Sequence, residues 1–215
     1  MLVLHIDHGA GNNSTFTDIV VSSTGSDLYS CMSASVGSLK GPKNGGANMQ
    51  AKGMLKAVIE EIGLDASDKQ IEEIVHRLLN KEFYDQKGLV YGIGHAVYTL
   101  SDPRAEIIKE KAMEVARANG LDKKFEFYKR FESIAKKIVS EEKHKSVSAN
   151  IDFYSGLIYE MLDIPEDLYT PMFVCARVVG WLAHNIENKL CCDRIVRPAG
   201  KYVGENSDFI KMEDR

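Results

Sequence analysis

Ser67-Asp68-Lys69-Gln70-Ile71-Glu72-Glu73-Ile74-Val75-His76-Arg77-Leu78-Leu79 decides the fold class. Ile71, Ile74, Val75, Leu78 and Leu79 return on one face of a 3.6-residue period, the mark of an amphipathic helix. Ser67 with Gln70 reads as its capping box, in which hydroxyl and carboxamide satisfy amides the first turn would otherwise leave unpaired. The same period continues on both sides. Met54, Leu55, Val58, Ile59 and Ile62 form a stripe stopped by Gly63. Asp102-Pro103, a cap followed by proline at the first helical position, opens a helix to about Asn119-Gly120. Another covers roughly Lys123 to Lys143, with Phe127, Tyr128, Phe131, Ile134, Ile138 and Val139 inward. A short apolar helix runs from Asp152 to Leu162, and Thr170-Pro171 opens a longer one to about Leu190. Ser14–Ser23 and Asp27–Leu39 are two more, parted at Gly25. Strand alternation never persists. The expected fold class is all-α.

With 215 residues the chain has room for one large domain or two small ones. Apolar residues are 44% and charged residues 27%, and the net charge is −4 with its cations dispersed, which argues against a nucleic-acid surface. Cys31, Cys175, Cys191 and Cys192 contain no CxxC pair, so neither a disulfide framework nor a zinc site is expected. The apolar start Met1-Leu2-Val3-Leu4 gives way at once to His5 and Asp7, too short for a signal peptide or a membrane span. A cytoplasmic location without membrane contact is the expectation. The turn-rich Gly41-Pro42-Lys43-Asn44-Gly45-Gly46 and the basic, polar Glu141–Ser148 mark composition shifts, so the middle reads as an insertion between two segments that belong together. Leu2 to Leu4 would be buried in most folds, which implies that part of the core comes from sequence outside this chain. The isolated chain is therefore expected to self-associate.

Four clusters could carry chemistry. His5-Ile6-Asp7-His8, followed by Gly9, Gly11, Asn12 and Asn13, could ligate a metal, form a plain loop, or hydrogen-bond a ligand. The glycines argue against the helical turn a metal pair would need. Gly92-Ile93-Gly94-His95 lets backbone approach a ligand beside an imidazole, or is only a glycine turn; it lacks nucleotide-fingerprint spacing. Asp102-Pro103-Arg104 places a guanidinium in a first helical turn, where a capped surface helix start is the bland alternative. Asn150-Ile151-Asp152 heads an apolar helix, so Asp152 is either a cap or dipole partner or a base whose pKa is raised among Phe153, Tyr154 and Leu157. Arg177, inside Phe173-Val174-Cys175-Ala176-Arg177-Val178-Val179-Gly180-Trp181, lies on a helix apolar nearly all round. It needs either an internal carboxylate or an anionic ligand. Arg197, before Pro198, reads as an ordinary surface residue.

Taken in order, the series is similar to citrate synthases: His5-x-Asp7-His8, then Leu39-Lys40-Gly41-Pro42-x-x-Gly45-Gly46-Ala47-Asn48, Gly92-x-Gly94-His95-Ala96-Val97, Asp102-Pro103-Arg104, Asn150-x-Asp152-Phe153-Tyr154-Ser155-Gly156 and Arg194-Ile195-x-Arg197-Pro198. The match runs from the first residues to about Tyr202 and resembles the C-terminal half of the family. The resemblance implies a small helical domain, residues 44–155, inserted into a large one formed by 1–43 and 156–215, and a homodimer or a partnership with a missing N-terminal half. It implies condensation of acetyl-CoA with oxaloacetate to give citrate and CoA, with the coenzyme A thioester as co-substrate, no permanently bound cofactor and no metal. Asp152 would be the base, and His95 the group that polarises the oxaloacetate carbonyl. His8, Arg104 and Arg177 would bind the carboxylates, with Arg197 crossing the dimer. Leu89, Val90, Tyr91, Gly92 and Gly94 would contact CoA. Two departures stand out. The family has histidine, the enol-stabilising donor, where this chain has Asn44, whose amide can donate a hydrogen bond but cannot shuttle a proton; losing such a donor costs about 3 kcal/mol. Thr99 replaces a basic residue that meets a CoA phosphate. The alternatives are a 2-methylcitrate synthase using propionyl-CoA, and a non-catalytic remnant that only binds carboxylate or CoA.

Overall fold

The computed structural model describes every residue except His8, Ala10, Pro42, Lys43, Ala96, Val97, Thr99, 205–208 and Arg215. The described residues form helices α1 (Leu2–His5), α2 (Asn13–Ser22), α3 (Leu28–Leu39), α4 (Ala47–Ile62), α5 (Asp68–Leu79), α6 (Pro103–Ala118), α7 (Asp122–Lys143), α8 (Ile151–Met161) and α9 (Tyr169–Cys191). Strands are absent among them, and the fold is all-α as expected.

Local signals explain most boundaries. The reciprocal Ser67–Gln70 capping box is present at the start of α5. Asp102 caps α6 ahead of Pro103, and Asp27 caps α3. Gly63 ends α4 with φ +76°, a conformation that suits glycine. Helix α9 begins at Tyr169, two residues before Pro171 and one before the expected Thr170-Pro171 opening. A 3-10 turn at Glu166–Leu168 feeds it, and Pro171 is tolerated because first-turn amides need no helical acceptor.

The middle of the chain packs as one body, α4 on α8, α5 on α7, and α6 on α7 and α8. Its continuous core runs from Met54 and Leu55 through Ile71, Phe131 and Phe153 to Leu157. Around it, α2 packs on α3 and α9, and α1 and α3 also pack on α9. A small second cluster of Leu39, Phe173 and Trp181 sits there. Helix α8 carries Asp152 on its first turn while its remaining residues are built into the middle core. A cavity lies where these two groups of helices meet.

Candidate active site

A cavity of about 300 Å³ is lined by Gly11, Asn12, Asn13, Asn44, Gly45, Ala47, His95, Arg104, Asn150, Ile151, Asp152, Phe173 and Arg177. Residues more than 160 positions apart in sequence thus share one wall system, and five of the sequence-derived candidates converge there: Asn44, His95, Arg104, Asp152 and Arg177.

Asp152 is set by the turn before it. The backbone of Gly92 and Gly94 runs against Ser148–Asn150: Gly94 N–H donates to Ser148 O at 2.7 Å and Asn150 N–H to Gly92 O at 2.9 Å. Gly92 is at φ +83°, and a Cβ there would lie 2.9 Å from Phe153, so the approach requires glycine. Asn150, not Asp152, caps α8. Its Oδ1 accepts from Asp152 N–H at 3.0 Å while its Nδ2 donates to Gly94 O at 2.7 Å. The capping role weighed for Asp152 is therefore already filled, and its carboxylate is left at the cavity. Burial pushes that carboxyl up to about 6, against the pull of Arg177 and Arg104 and with a small push from Asp102.

His95 Nδ1 accepts the Tyr98 amide at 3.2 Å, so the neutral ring carries its proton on Nε2. Arg104 is held by a fork: its Nε and Nη2 donate to the two oxygens of Asp102 at 3.0 and 2.9 Å, and the guanidinium lies 5.1 Å from the Tyr98 ring centroid. Asp102 is fully buried, so the plain surface helix start weighed for this motif does not occur. The cap forms and the arginine faces the cavity.

Arg177 is 6% exposed. Its Nε donates to the His5 carbonyl oxygen at 3.1 Å and it lies over the Phe173 ring. Among the described residues no carboxylate comes within ion-pair distance, so of the two partners open to it the internal carboxylate is not found there and the buried cation suits a ligand anion. His5 is buried between Phe173 and Tyr159, with both ring nitrogens unpaired among the described residues. Desolvation, then the positive charge of Arg177, pull its pKa down to about 3. Asp7 turns elsewhere, accepting from Thr15 Oγ1 at 2.6 Å and meeting His184 Nε2 at 2.9 Å. His8 lies outside the described residues. No group of three metal-ligating side chains occurs among the described residues.

Arg197, the Leu89–Gly94 loop and Asn44 lie apart from the cavity or behave differently from expectation. Arg197 is exposed on the extended stretch after α9, where the neighbouring Val196 N–H donates to Ser23 Oγ. Of the loop expected to meet CoA, Leu89 is exposed, Val90 and Gly92 are buried, and Tyr91 Oη bonds Asp85. Asn44 lines the cavity, yet its Nδ2 donates to Ser14 Oγ and to the Ser38 carbonyl, both at 3.2 Å. Both amide hydrogens are spent inside the protein, unlike the substrate-facing donation expected of it. Sequence reasoning missed Phe173 as a lining residue, and it placed Asn12, Asn13 and Asn150 only inside larger clusters, without a role of their own. The Asn150 signal was present, because asparagine immediately before an apolar helix is a strong cap. It also passed over Lys143 and Lys145, which line a second cavity of about 370 Å³ with Gly94, His95 and Tyr98. No helix among the described residues is long and apolar enough to cross a membrane.

The citrate synthase C-terminal domain family model matches residues 1–199. A citrate synthase of Deinococcus radiodurans is 41% identical over 215 residues, covering 100% of this chain and 52% of the relative. A 2-methylcitrate synthase of Shewanella oneidensis is 37% identical, covering 94% of this chain and 49% of the relative. The solved structure of the ternary complex of carboxymethyl coenzyme A and oxaloacetate with the Thermoplasma acidophilum citrate synthase matches with a TM-score of 0.76 and 31% identity, covering 100% of this chain and 53% of that one. The chain thus spans about half the length of the relatives it matches. With nearly its whole length inside the family model, the chain belongs to the citrate synthase family.

Proposed function

We propose that this chain supplies the condensing site of a citrate synthase-type acyltransferase, which joins acetyl-CoA to oxaloacetate and releases citrate and CoA. The observation that carries the reading is the cavity itself. Two arginines, one imidazole and a carboxyl group raised to about 6 face one volume of about 300 Å³. Arg104 and Arg177 bind the two carboxylates, because a buried guanidinium gains most from a planar anion. Asp152 removes a methyl proton from the thioester, a task suited to a base that is ionised at neutral pH yet retains affinity for the proton. The resulting carbanion attacks the oxo carbon of oxaloacetate. His95, protonated on Nε2, polarises that carbonyl and gives its proton to the new alkoxide. Water then cleaves the thioester, leaving citrate and CoA thiol.

His8 completes carboxylate binding in this reading, and Arg197 of a second copy completes the site in a homodimer. The thioester arrives along Leu89, Val90, Tyr91, Gly92 and Gly94. Lys143 and Lys145 beside that backbone offer the charge for CoA phosphates that Thr99 does not provide. Residues 44–155 form the small domain and 1–43 with 156–215 belong to the large one, with α8 carried across the second boundary. The location is cytoplasmic. The ternary complex of the Thermoplasma acidophilum relative supports this pair of substrates. The Shewanella oneidensis relative makes propionyl-CoA the competing acyl donor. The engaged amide of Asn44 favours one second reading, a cleft that binds without turning over.

Thiol release from acetyl-CoA, followed with the chain alone and with the other half of the family's polypeptide added, tests the proposal. Release should require oxaloacetate and fall about a hundredfold or more in Asp152→Asn. A base whose pKa is about 6 is protonated below that value, so the rate should climb as pH rises through 6 and then level. Release independent of both oxaloacetate and Asp152 would defeat the assignment; oxaloacetate binding without any release would select the second reading.

A further inference from the structure

The cavity wall made by the start of α2, the end of α3 and the turn before α4 contains one continuous chain of hydrogen bonds. Asn44 Nδ2 lies 3.2 Å from the Ser38 carbonyl oxygen and 3.2 Å from Ser14 Oγ. Ser14 Oγ lies 3.2 Å from Ser38 Oγ, which lies 2.6 Å from Asn13 Oδ1. A carbonyl oxygen only accepts, so its contact fixes which end of the Asn44 amide carries hydrogen. The remaining directions follow. Ser14 accepts from Asn44 and donates to Ser38 Oγ, and Ser38 donates its own proton to Asn13. The chain ends on the carbonyl end of Asn13, which keeps the NH₂ group of this cavity-lining residue out of the relay.

We propose that Asn13 is the neutral hydrogen-bond donor to the bound 2-oxo dicarboxylate, and that Asn44 is a positioning residue that orients it through Ser14 and Ser38. The inference rests on the function proposed above and deepens it. Such a donor has work to do. Arg104 has committed Nε and Nη2 to Asp102, and Arg177 has committed Nε to the His5 carbonyl. Three guanidinium hydrogens remain on Arg104 and four on Arg177, fewer than the ten lone-pair sites on the five oxygens of a 2-oxo dicarboxylate, so a neutral donor still finds an acceptor there.

Side-chain amide NMR of the ¹⁵N-labelled chain, titrated with oxaloacetate, tests this. The Asn13 NH₂ pair should shift on titration while the Asn44 pair stays in place. Asn13→Ala should weaken oxaloacetate binding about tenfold, and Asn13→Asp, which sets an anion against an anion, should weaken it further. Ser38→Ala removes the last link without touching the ligand; it should shift the Asn13 pair before any oxaloacetate is added and weaken binding about threefold. A response from the Asn44 pair but not from Asn13, or Asn13→Ala binding within about twofold of the unaltered chain, overturns the inference. No oxaloacetate response from any cavity residue would instead defeat the proposed function and the donor role with it. In that case the relay alone is judged on the ligand-free spectra: it holds if Ser38→Ala moves the Asn13 pair and fails if it does not.

Discussion

The two groups of helices around the cavity are held together by different physics. In α4 to α8 the core is aromatic and continuous. Phe131 and Phe153 stack at 6.3 Å, and Tyr154 meets Phe153 edge-on at 5.0 Å. Its buried charge, Glu132, is satisfied by Lys109 Nζ and Tyr154 Oη, each at 2.6 Å. In α2, α3 and α9 the apolar cluster is small, and the contacts between α2 and α9 are a buried polar ladder. Asn185 Nδ2 donates to Asp18 Oδ1 at 2.9 Å, and Asn188 Nδ2 to Ser22 Oγ at 3.2 Å. Asp7 packs so closely on α9 that a Cβ on Gly180 would lie 2.3 Å from its own. Apolar burial supplies most of the free energy of folding but is tolerant of sliding, whereas a buried polar pair is satisfied in one register only. The middle body is thus built for stability and the α2–α9 seam for alignment of the cavity wall it supports. On the outside of that seam Phe16, Tyr29, Val179, Ile186 and Leu190 remain exposed.

Truncating the aromatic stack is the most severe way to break this contrast. Phe131 is fully buried, so Phe131→Ala removes a ring from a close-packed interior and should cost about 3–5 kcal/mol. Chemical denaturation measures it; a loss below about 1 kcal/mol would show that the middle body relaxes around the void and does not owe its stability to close aromatic packing.

The seam should respond less in energy but more in pH. Asn185→Ala strips Asp18 of its one side-chain partner among the described residues and should cost about 1–3 kcal/mol at neutral pH. Desolvation already raises the Asp18 pKa above its ordinary value, while the Asn185 hydrogen bond opposes the rise. A carboxyl whose folded pKa is raised favours folding at low pH and loses that contribution as pH rises through the folded value. Removing the opposing hydrogen bond enlarges the shift. The penalty of Asn185→Ala should therefore shrink as pH falls from 7 toward 4, which melting curves of both proteins across that range would reveal. An equal penalty at every pH would mean that Asp18 is already neutral in the fold.

The difference between the two regions also explains what could be read from the chain. Periodicity and caps are local, so Ser67–Gln70, Asp102-Pro103 and the stripe from Phe127 to Val139 located their helices from neighbouring residues alone. The convergence of Asp152, Arg104 and Arg177 was legible only through the order of motifs shared with a family, because no local pattern places residues so far apart on one cavity. Ser14 and Ser38 carried no such signal, and Asn13 only closed a cluster read as able to hydrogen-bond a ligand. Each is an ordinary polar residue near a helix end until the fold brings Asn44 beside them. Asp18 with Asn185 was hidden for the same reason, since a polar residue within a helix reads as solvent-facing until its partner is known.

The smallest effect sharpens the contrast most economically. Ser67 accepts from the Gln70 amide at 3.4 Å, and Gln70 Oε1 accepts from the Ser67 amide at 2.9 Å, on an exposed helix start. Ser67→Ala removes one half of that exchange and leaves the buried face of α5 untouched, so its cost should be about 1 kcal/mol. The loss should be independent of pH between 4 and 7, because neither group titrates. The clearest word in the sequence is thus worth less than the buried Asp18–Asn185 contact, which the sequence does not announce. If Ser67→Ala instead cost as much as Phe131→Ala, the start of α5 would be fixed by its cap and not by the Ile71, Ile74, Val75 and Leu78 face, and the account of the middle body as a packing-dominated unit would have to be abandoned.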